Sequence, residues 1–362
     1  MAAGKSQFQP DYAVSPGWVL EERLEVQGIS HAEFARRCDR SPKLISEIIA
    51  GKAPIVPQTA VQFEMVLGVD ASIWLGIEAD YRLHKIRADA EKQAEAYSSW
   101  SRSFPIRDLV KRGVIRKTAT KGKDVSELLT FFGVASLNAW KMKYENVNIA
   151  FRHSPSFESD RAALSAWLRL TEIDAQDQNC DSYNVTRFKK ALARVRRLTQ
   201  TPVQEALKHT RELFNKAGVA LSLVKPLPKT RVSGAAWWVS PSRPVVALSV
   251  RYKTDDHLWF SLFHEAAHII LHGKKNVYVD GSNGESDEIE TEADRWANGF
   301  LIPSTAWNDF VTRGSFRSTD VHSFADELKI APGIVVGRLQ HTKHIPWSYL
   351  NGLKTRLRWS DE

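Results

Sequence analysis

Apolar positions along this chain change texture near Gly218. Before it they recur at three- and four-residue spacing, the mark of amphipathic helices. Trp18, Leu20, Leu24 and Val26 predict a helix opened by Pro16-Gly17 and closed at Gly28. Ser30-His31-Ala32-Glu33 reads as a capping box for a second helix, with Phe34 and Ala35 facing inward. Cys38-Asp39-Arg40 makes a turn, and Ser41-Pro42 caps a third helix that ends at Gly51. Ile45, Ile48 and Ile49 give its core face, leaving Ser41, Lys43, Leu44, Ser46 and Glu47 outside. Two short helices joined by a tight turn, the second exposing small polar and basic side chains, predict a helix-turn-helix. A long polar helix follows from 72 to about 100, broken at Ser98–Ser103, and helical patterns continue from 104 to 217.

After Gly218 the apolar runs become continuous. Val219–Val224 reads as a strand, and Gly234–Val239 with Val245–Val250 reads as a hairpin, so a small antiparallel sheet is expected. Next comes a nearly all-apolar helix containing His264-Glu265-Ala266-Ala267-His268, with Thr254-Asp255-Asp256 before it and Gly273 as its stop. His264 and His268 share one helical face, where two imidazoles can hold one zinc ion. Glu265 can then take the proton of a water at the metal. Burying two histidines and a glutamate without a partner is costly, and a metal supplies that partner. A third ligand is required. Downstream, Glu290, Ala293, Asp294 and Ala297 fall on one helical face. Glu290 can ligate, with Glu292 as the alternative, and Asp294 can accept the free ring N–H of a ligand histidine.

A length of 362 residues calls for two or three domains, and 43% hydrophobic residues suffice for their cores. The net charge of +8 fits a phosphate-bearing partner. Arg187, Lys189, Lys190, Arg194, Arg196 and Arg197 form a basic cluster that reads as a solvated helix face. Two distant cysteines exclude a disulfide framework and point to a reducing cytoplasm. No signal peptide or membrane span is expected, and no membrane partner.

The HEAAH helix and the Glu290-Thr291-Glu292-Ala293-Asp294-Arg295-Trp296-Ala297-Asn298-Gly299-Phe300-Leu301-Ile302-Pro303 run resemble the ImmA/IrrE family of zinc metallopeptidases. Asp294 stands where many members have Asn, and Asn298-Gly299-Phe300 departs slightly from the usual run. Neither change touches a ligand. The Phe131-Phe132-Gly133-Val134 and Ala150-Phe151-Arg152-His153-Ser154 stretches extend the resemblance over 104–345. The resemblance implies a gluzincin-like fold, a Zn2+ ion and cleavage of a protein substrate, often a DNA-binding repressor. It also implies a substrate strand added to a sheet edge, here near Trp237 and Trp238. Tyr252, His257 and His272 are open alternatives for steadying the oxyanion. Val321–Gln340 could pass for another helix-turn-helix, and the family places a similar segment beside the peptidase.

Residues 14–85 resemble the Cro-type (XRE) DNA-binding domain, especially the HigA antitoxin branch. That implies a homodimer on double-stranded DNA, at an inverted-repeat operator, with the third helix in the major groove. Ser41, Lys43, Leu44, Ser46 and Glu47 are then the candidate groove residues, with Lys52 on a phosphate. Val56-Pro57 replaces the usual capping Thr before the fourth helix.

The expected fold is multidomain and mainly α, with a small antiparallel β-sheet. An all-α helix-turn-helix domain (1–80) leads through a helical linker (81–103) and a helical middle region (104–217) to an α+β peptidase core (218–345) and a tail (346–362). The expected function is a DNA-binding transcriptional regulator with a zinc-dependent endopeptidase that cleaves a repressor, an antitoxin or itself. A cognate toxin is a further candidate partner. The alternative is an antitoxin-type repressor whose zinc domain senses or binds without turnover. Intact Glu265 disfavours that alternative.

Overall fold

The computed structural model describes residues 13–151, 161–272, 278–279 and 287–359. Gly273 and the Arg152-His153-Ser154 stretch lie outside them. The chain divides into two compact units, 13–98 with 118–126 and 99–117 with 127–359.

The first unit holds α1 (Pro16–Gln27), α2 (His31–Arg37), α3 (Pro42–Ile49), α4 (Pro57–Leu67) and α5 (Ala71–Glu95). Helix starts follow the caps. Ser30 Oγ accepts from the Glu33 N–H at 3.3 Å, and Ser41 Oγ from the Leu44 N–H at 3.2 Å. The expected capping box is only half formed, because the Glu33 carboxylate pairs with Arg36 and Arg37 instead. Val56 gives α4 no side-chain cap, and Pro57 pre-sets its first turn. Leu20, Leu24, Phe34, Ile45, Ile48, Phe63 and Trp74 form the core. Trp18 and Val26 lie outside it, 57% and 75% exposed, so the inward face of α1 is narrower than its apolar count suggested. Gly17 packs against the backbone carbonyls of Ile48 and Ile49, where any side chain would collide with α3.

Then follow α6 (Ser98–Ser101), α7 (Ile106–Lys111), α8 (Lys121–Phe132), α9 (Leu137–Phe151), α10 (Arg161–Gln176), α11 (Val185–Leu198) and α12 (Val203–Ala217). The basic cluster lies on the outer side of α11, as a solvated face should, except for Arg196. Its guanidinium donates to the Leu301 and Leu328 carbonyls at 2.9 and 2.8 Å. The remaining elements are β1 (Ala220–Leu223), β2 (Gly234–Ser240), β3 (Arg243–Leu248), α13 (Asp255–Leu271), β4 (Tyr278–Val279), α14 (Asp287–Leu301), α15 (Ser304–Thr312), α16 (Ser318–Leu328) and α17 (Pro332–His341).

The strand order is β1-β3-β2-β4. The sheet is mixed rather than antiparallel throughout: β2 and β3 form the expected hairpin, but β1 runs parallel to β3, with Ala220 opposite Val245. Both faces are covered, which explains the continuous apolar runs. Ala235, Trp237, Val245 and Ala247 face a core built with Phe104, Phe132, Trp140 and Trp167. Ala236, Val246 and Leu248 face a second core built with Phe188, Phe214, Trp259, Phe263 and Val335. Trp238 packs beside that second core, its ring edge-on to Tyr183 at 5.0 Å.

The segment that could pass for a second helix-turn-helix packs into the second core. Val321, Phe324, Ile334, Val335, Val336 and Leu339 are all buried there. After α17 the chain folds back. Buried Gln340 donates to the Trp347 and Tyr349 carbonyls at 3.2 and 2.9 Å, and accepts from Lys354 Nζ at 2.7 Å. Lys354 Nζ also meets Asp256 Oδ2 at 2.6 Å, and the Thr355 N–H donates to Asp255 Oδ1 at 2.9 Å. The last residues thus pin the first turn of α13. Among the described residues no helix is long and apolar enough to cross a membrane.

Candidate metal centre and recognition helix

Helix α13 carries the chemistry through the middle of a core. His264 and His268 are 4% and 1% exposed, and Glu265 is fully buried. Ala293 and Ala297, both fully buried, face α13 from α14 and let the two helices approach. That approach brings Glu290 and Asp294 to the histidines.

His264 Nε2 lies 3.0 Å from His268 Nε2 and 3.0 Å from Glu290 Oε2. His268 Nε2 lies 3.6 Å from Glu290 Oε1. A tetrahedral ion with bonds of 2.0–2.1 Å has ligand–ligand edges of about 3.3 Å; the two 3.0 Å separations from His264 Nε2 are close to that size, and Glu290 turns its other oxygen to His268. His264, His268 and Glu290 are a group among the described residues that could hold a metal ion. Asp294 Oδ1 lies 2.8 Å from His264 Nδ1, where it can accept the ring N–H and leave Nε2 for a metal.

The electrostatics favour a cation at the same point. Burial opposes charge on His264, but Asp294 and Glu290 outweigh it and hold the imidazolium up to about 11. Burial likewise opposes charge on Glu290, and its contacts to His264 and His268 hold the carboxyl down to about 2. At His268 burial prevails and lowers the pKa. The acidic partners thus favour a proton on His264, which an ion held there would displace.

Glu292 is not part of this group. Its Oε2 lies 3.2 Å from His272 Nε2, and His272 Nδ1 lies 2.9 Å from His268 Nδ1. Of the three oxyanion alternatives, His272 is engaged in that contact, while Tyr252 and His257 stack on each other at 4.4 Å.

In the first unit α3 turns Ile45 and Ile48 inward and leaves Ser41, Lys43 and Ser46 exposed. Lys43 Nζ is 3.9 Å from Glu47 Oε1. Leu44 is half-buried against the core, and Lys52 is exposed beyond the helix.

Residues 220–339 match the IrrE N-terminal-like domain, a peptidase family. Over 80 residues the chain is 31% identical to an uncharacterized HTH-type transcriptional regulator of Escherichia coli (strain K12), YddM. The match covers 22% of this chain and 81% of that protein. The chain belongs to the helix-turn-helix regulators, fused to an ImmA/IrrE-type metallopeptidase domain.

Sequence reasoning overlooked one contact in this ImmA/IrrE fusion. Gly234 opens β2 directly over Glu265. A Cβ at Gly234 would sit 2.6 Å from Glu265 Oε1 and 2.8 Å from its Cγ. The available signal was a glycine at the head of an apolar strand, which often marks a close approach of backbone. Gly234→Ala is expected to shift the Glu265 carboxylate or the strand above it. For a hydrolytic site a misplacement of this size is expected to cost about 100-fold in rate, with metal content unchanged from the wild type. Metal analysis and cleavage rates on one preparation check this; an alanine variant with full activity would remove Gly234 from the account.

Proposed function

We propose that this fused regulator binds operator DNA through its first unit and hydrolyses a peptide bond in a regulatory protein through its second, using zinc. The substrate is a repressor, an antitoxin or the chain itself, and the work is done in the cytoplasm. The observation that carries the reading is the convergence of His264, His268 and Glu290 on one point, with buried Glu265 next to the first ligand.

His264, His268 and Glu290 would hold the ion, with Asp294 steadying His264. Zinc supplies a Lewis acid for the scissile carbonyl and for the attacking water. Glu265 takes the water's proton as the water attacks, holds it on its carboxylate, and passes it to the leaving amine. Strand β4 pairs with β2 at Ala235 and Ala236, so that stretch of β2 is already taken. An incoming substrate strand would therefore have to pair elsewhere along the sheet or along β4 itself, rather than displace this pairing.

The test is metal analysis followed by fragment mapping. One zinc per chain is expected, lost in His264→Ala. Zinc-loaded protein is then incubated with itself and with any repressor or antitoxin encoded beside its gene, and fragments are mapped by mass spectrometry. Zinc-dependent cleavage of casein but of neither candidate would make this a broad peptidase and overturn the regulatory reading.

For DNA, the full chain is expected to bind its own promoter as a dimer, with affinity falling steeply as salt rises. Lys43→Ala combined with Ser46→Ala should remove sequence preference more than non-specific binding. Gel-shift titrations that show no preference for the promoter over random duplex would sink the DNA half of the proposal.

A further inference from the structure

A metal-binding imidazole keeps its ring fixed only if its second nitrogen, protonated, meets an acceptor. At His264 that acceptor is the Asp294 carboxylate. At His268 the neighbour is of another kind. His268 Nδ1 faces His272 Nδ1 at 2.9 Å, the two rings 5.0 Å apart, and His272 Nε2 reaches Glu292 Oε2 at 3.2 Å.

Counting protons along this chain gives one consistent arrangement. A His268 that offers Nε2 to a metal has no proton there, so its Nδ1 bears one. The facing Nδ1 of His272 must then accept. The Nε2 of His272 then carries the N–H that donates to Glu292. A proton on both Nδ1 atoms would set two donors against each other at 2.9 Å.

We infer that His272 and Glu292 are positioning residues for His268. They form an imidazole–imidazole–carboxylate chain that fixes the tautomer and rotation of the second ligand. This rests on the zinc reading above and assigns a role to two residues which that reading leaves idle. The local backbone supports it. His272 is the C-cap of α13, its N–H bonded to the His268 carbonyl at 3.1 Å, so one turn sets one ring against the other. The His272 side chain is 7% exposed, whereas that of Glu292 is 57% exposed. The carboxylate thus closes the chain from the solvent side. The two glutamates of the Glu290-Thr291-Glu292 run divide the work, one toward the metal and the other toward the histidine behind it. His272 is not itself in the metal-holding group.

The test is zinc affinity of the full-length protein, by competition with a chromophoric chelator at fixed pH. His272→Phe keeps the ring volume but removes the acceptor, and it is expected to weaken zinc binding about 10- to 100-fold. His272→Asn places an amide oxygen near the lost Nδ1 and should restore most of that affinity. Glu292→Ala should weaken binding as well, by less than His272→Phe. A His272→Phe protein with wild-type affinity overturns the inference, and so does a His272→Asn protein as weak as His272→Phe, since that would mean packing alone. If the variants fail to fold, nitrogen-15 NMR of the zinc-loaded wild type decides. His272 should be protonated at Nε2 and bare at Nδ1; a proton at Nδ1 overturns the chain. His264→Ala and His268→Ala separate the two failures. If both retain zinc, the zinc reading is wrong; if both lose it while His272→Phe does not, only this inference falls.

Discussion

Glu265→Gln is expected to retain one zinc per chain and to slow peptide hydrolysis about 100- to 10,000-fold. Gln matches Glu in size, so the packing beneath Gly234 is kept. What disappears is the ability to take a proton from the attacking water and return it to the departing amine. Glu265 is suited to that role because it is fully buried beside a ligand yet is not one of the three converging donors. Melting curves and metal content should match the wild type while cleavage of the mapped site collapses. A Glu265→Gln protein that still cleaves at near wild-type rate would eliminate this residue as the base.

Lys354→Met is expected to cost the second unit about 3–5 kcal/mol, the range for breaking a buried ion pair from one side. The Lys354 and Asp256 side chains are 8% and 6% exposed and meet at 2.6 Å. Removing the cation strands a carboxylate at the start of α13, and it frees the Gln340 acceptor as well. Adding Asp256→Asn to Lys354→Met should recover part of the loss, because the stranded charge is then gone. Urea unfolding of the three proteins measures this. A loss under about 1 kcal/mol, the size of an exposed pair, would show that Lys354 is solvated in the working protein.

Much of the site is legible in the sequence because helical geometry is local. Four residues separate His264 from His268, and four separate Glu290 from Asp294, so each pair shares a face whatever surrounds it. The caps at Ser30 and Ser41 are legible for the same reason. Contacts between distant segments are not. The parallel pairing of β1 with β3 joins strands separated in sequence by β2, and nothing in either strand's pattern announces its direction. Lys354 and Asp256 are about a hundred residues apart and have no shared period. Trp18 and Val26 mislead in the opposite way, since an apolar side chain on a short helix can face water as readily as a core.

Because β2 feeds Trp237 into one core while its neighbour Ala236 serves the other, and because its first residue lies over Glu265, the strand works as a floor shared by two rooms. The room built by Phe132, Trp140 and Trp167 rests on the same strand whose first residue lies over the Glu265 carboxylate. Substitutions at Phe132 or Trp140, more than a hundred residues upstream of the HEAAH helix, are therefore expected to read in a genetic screen as catalytic defects, although they touch none of the site's side chains.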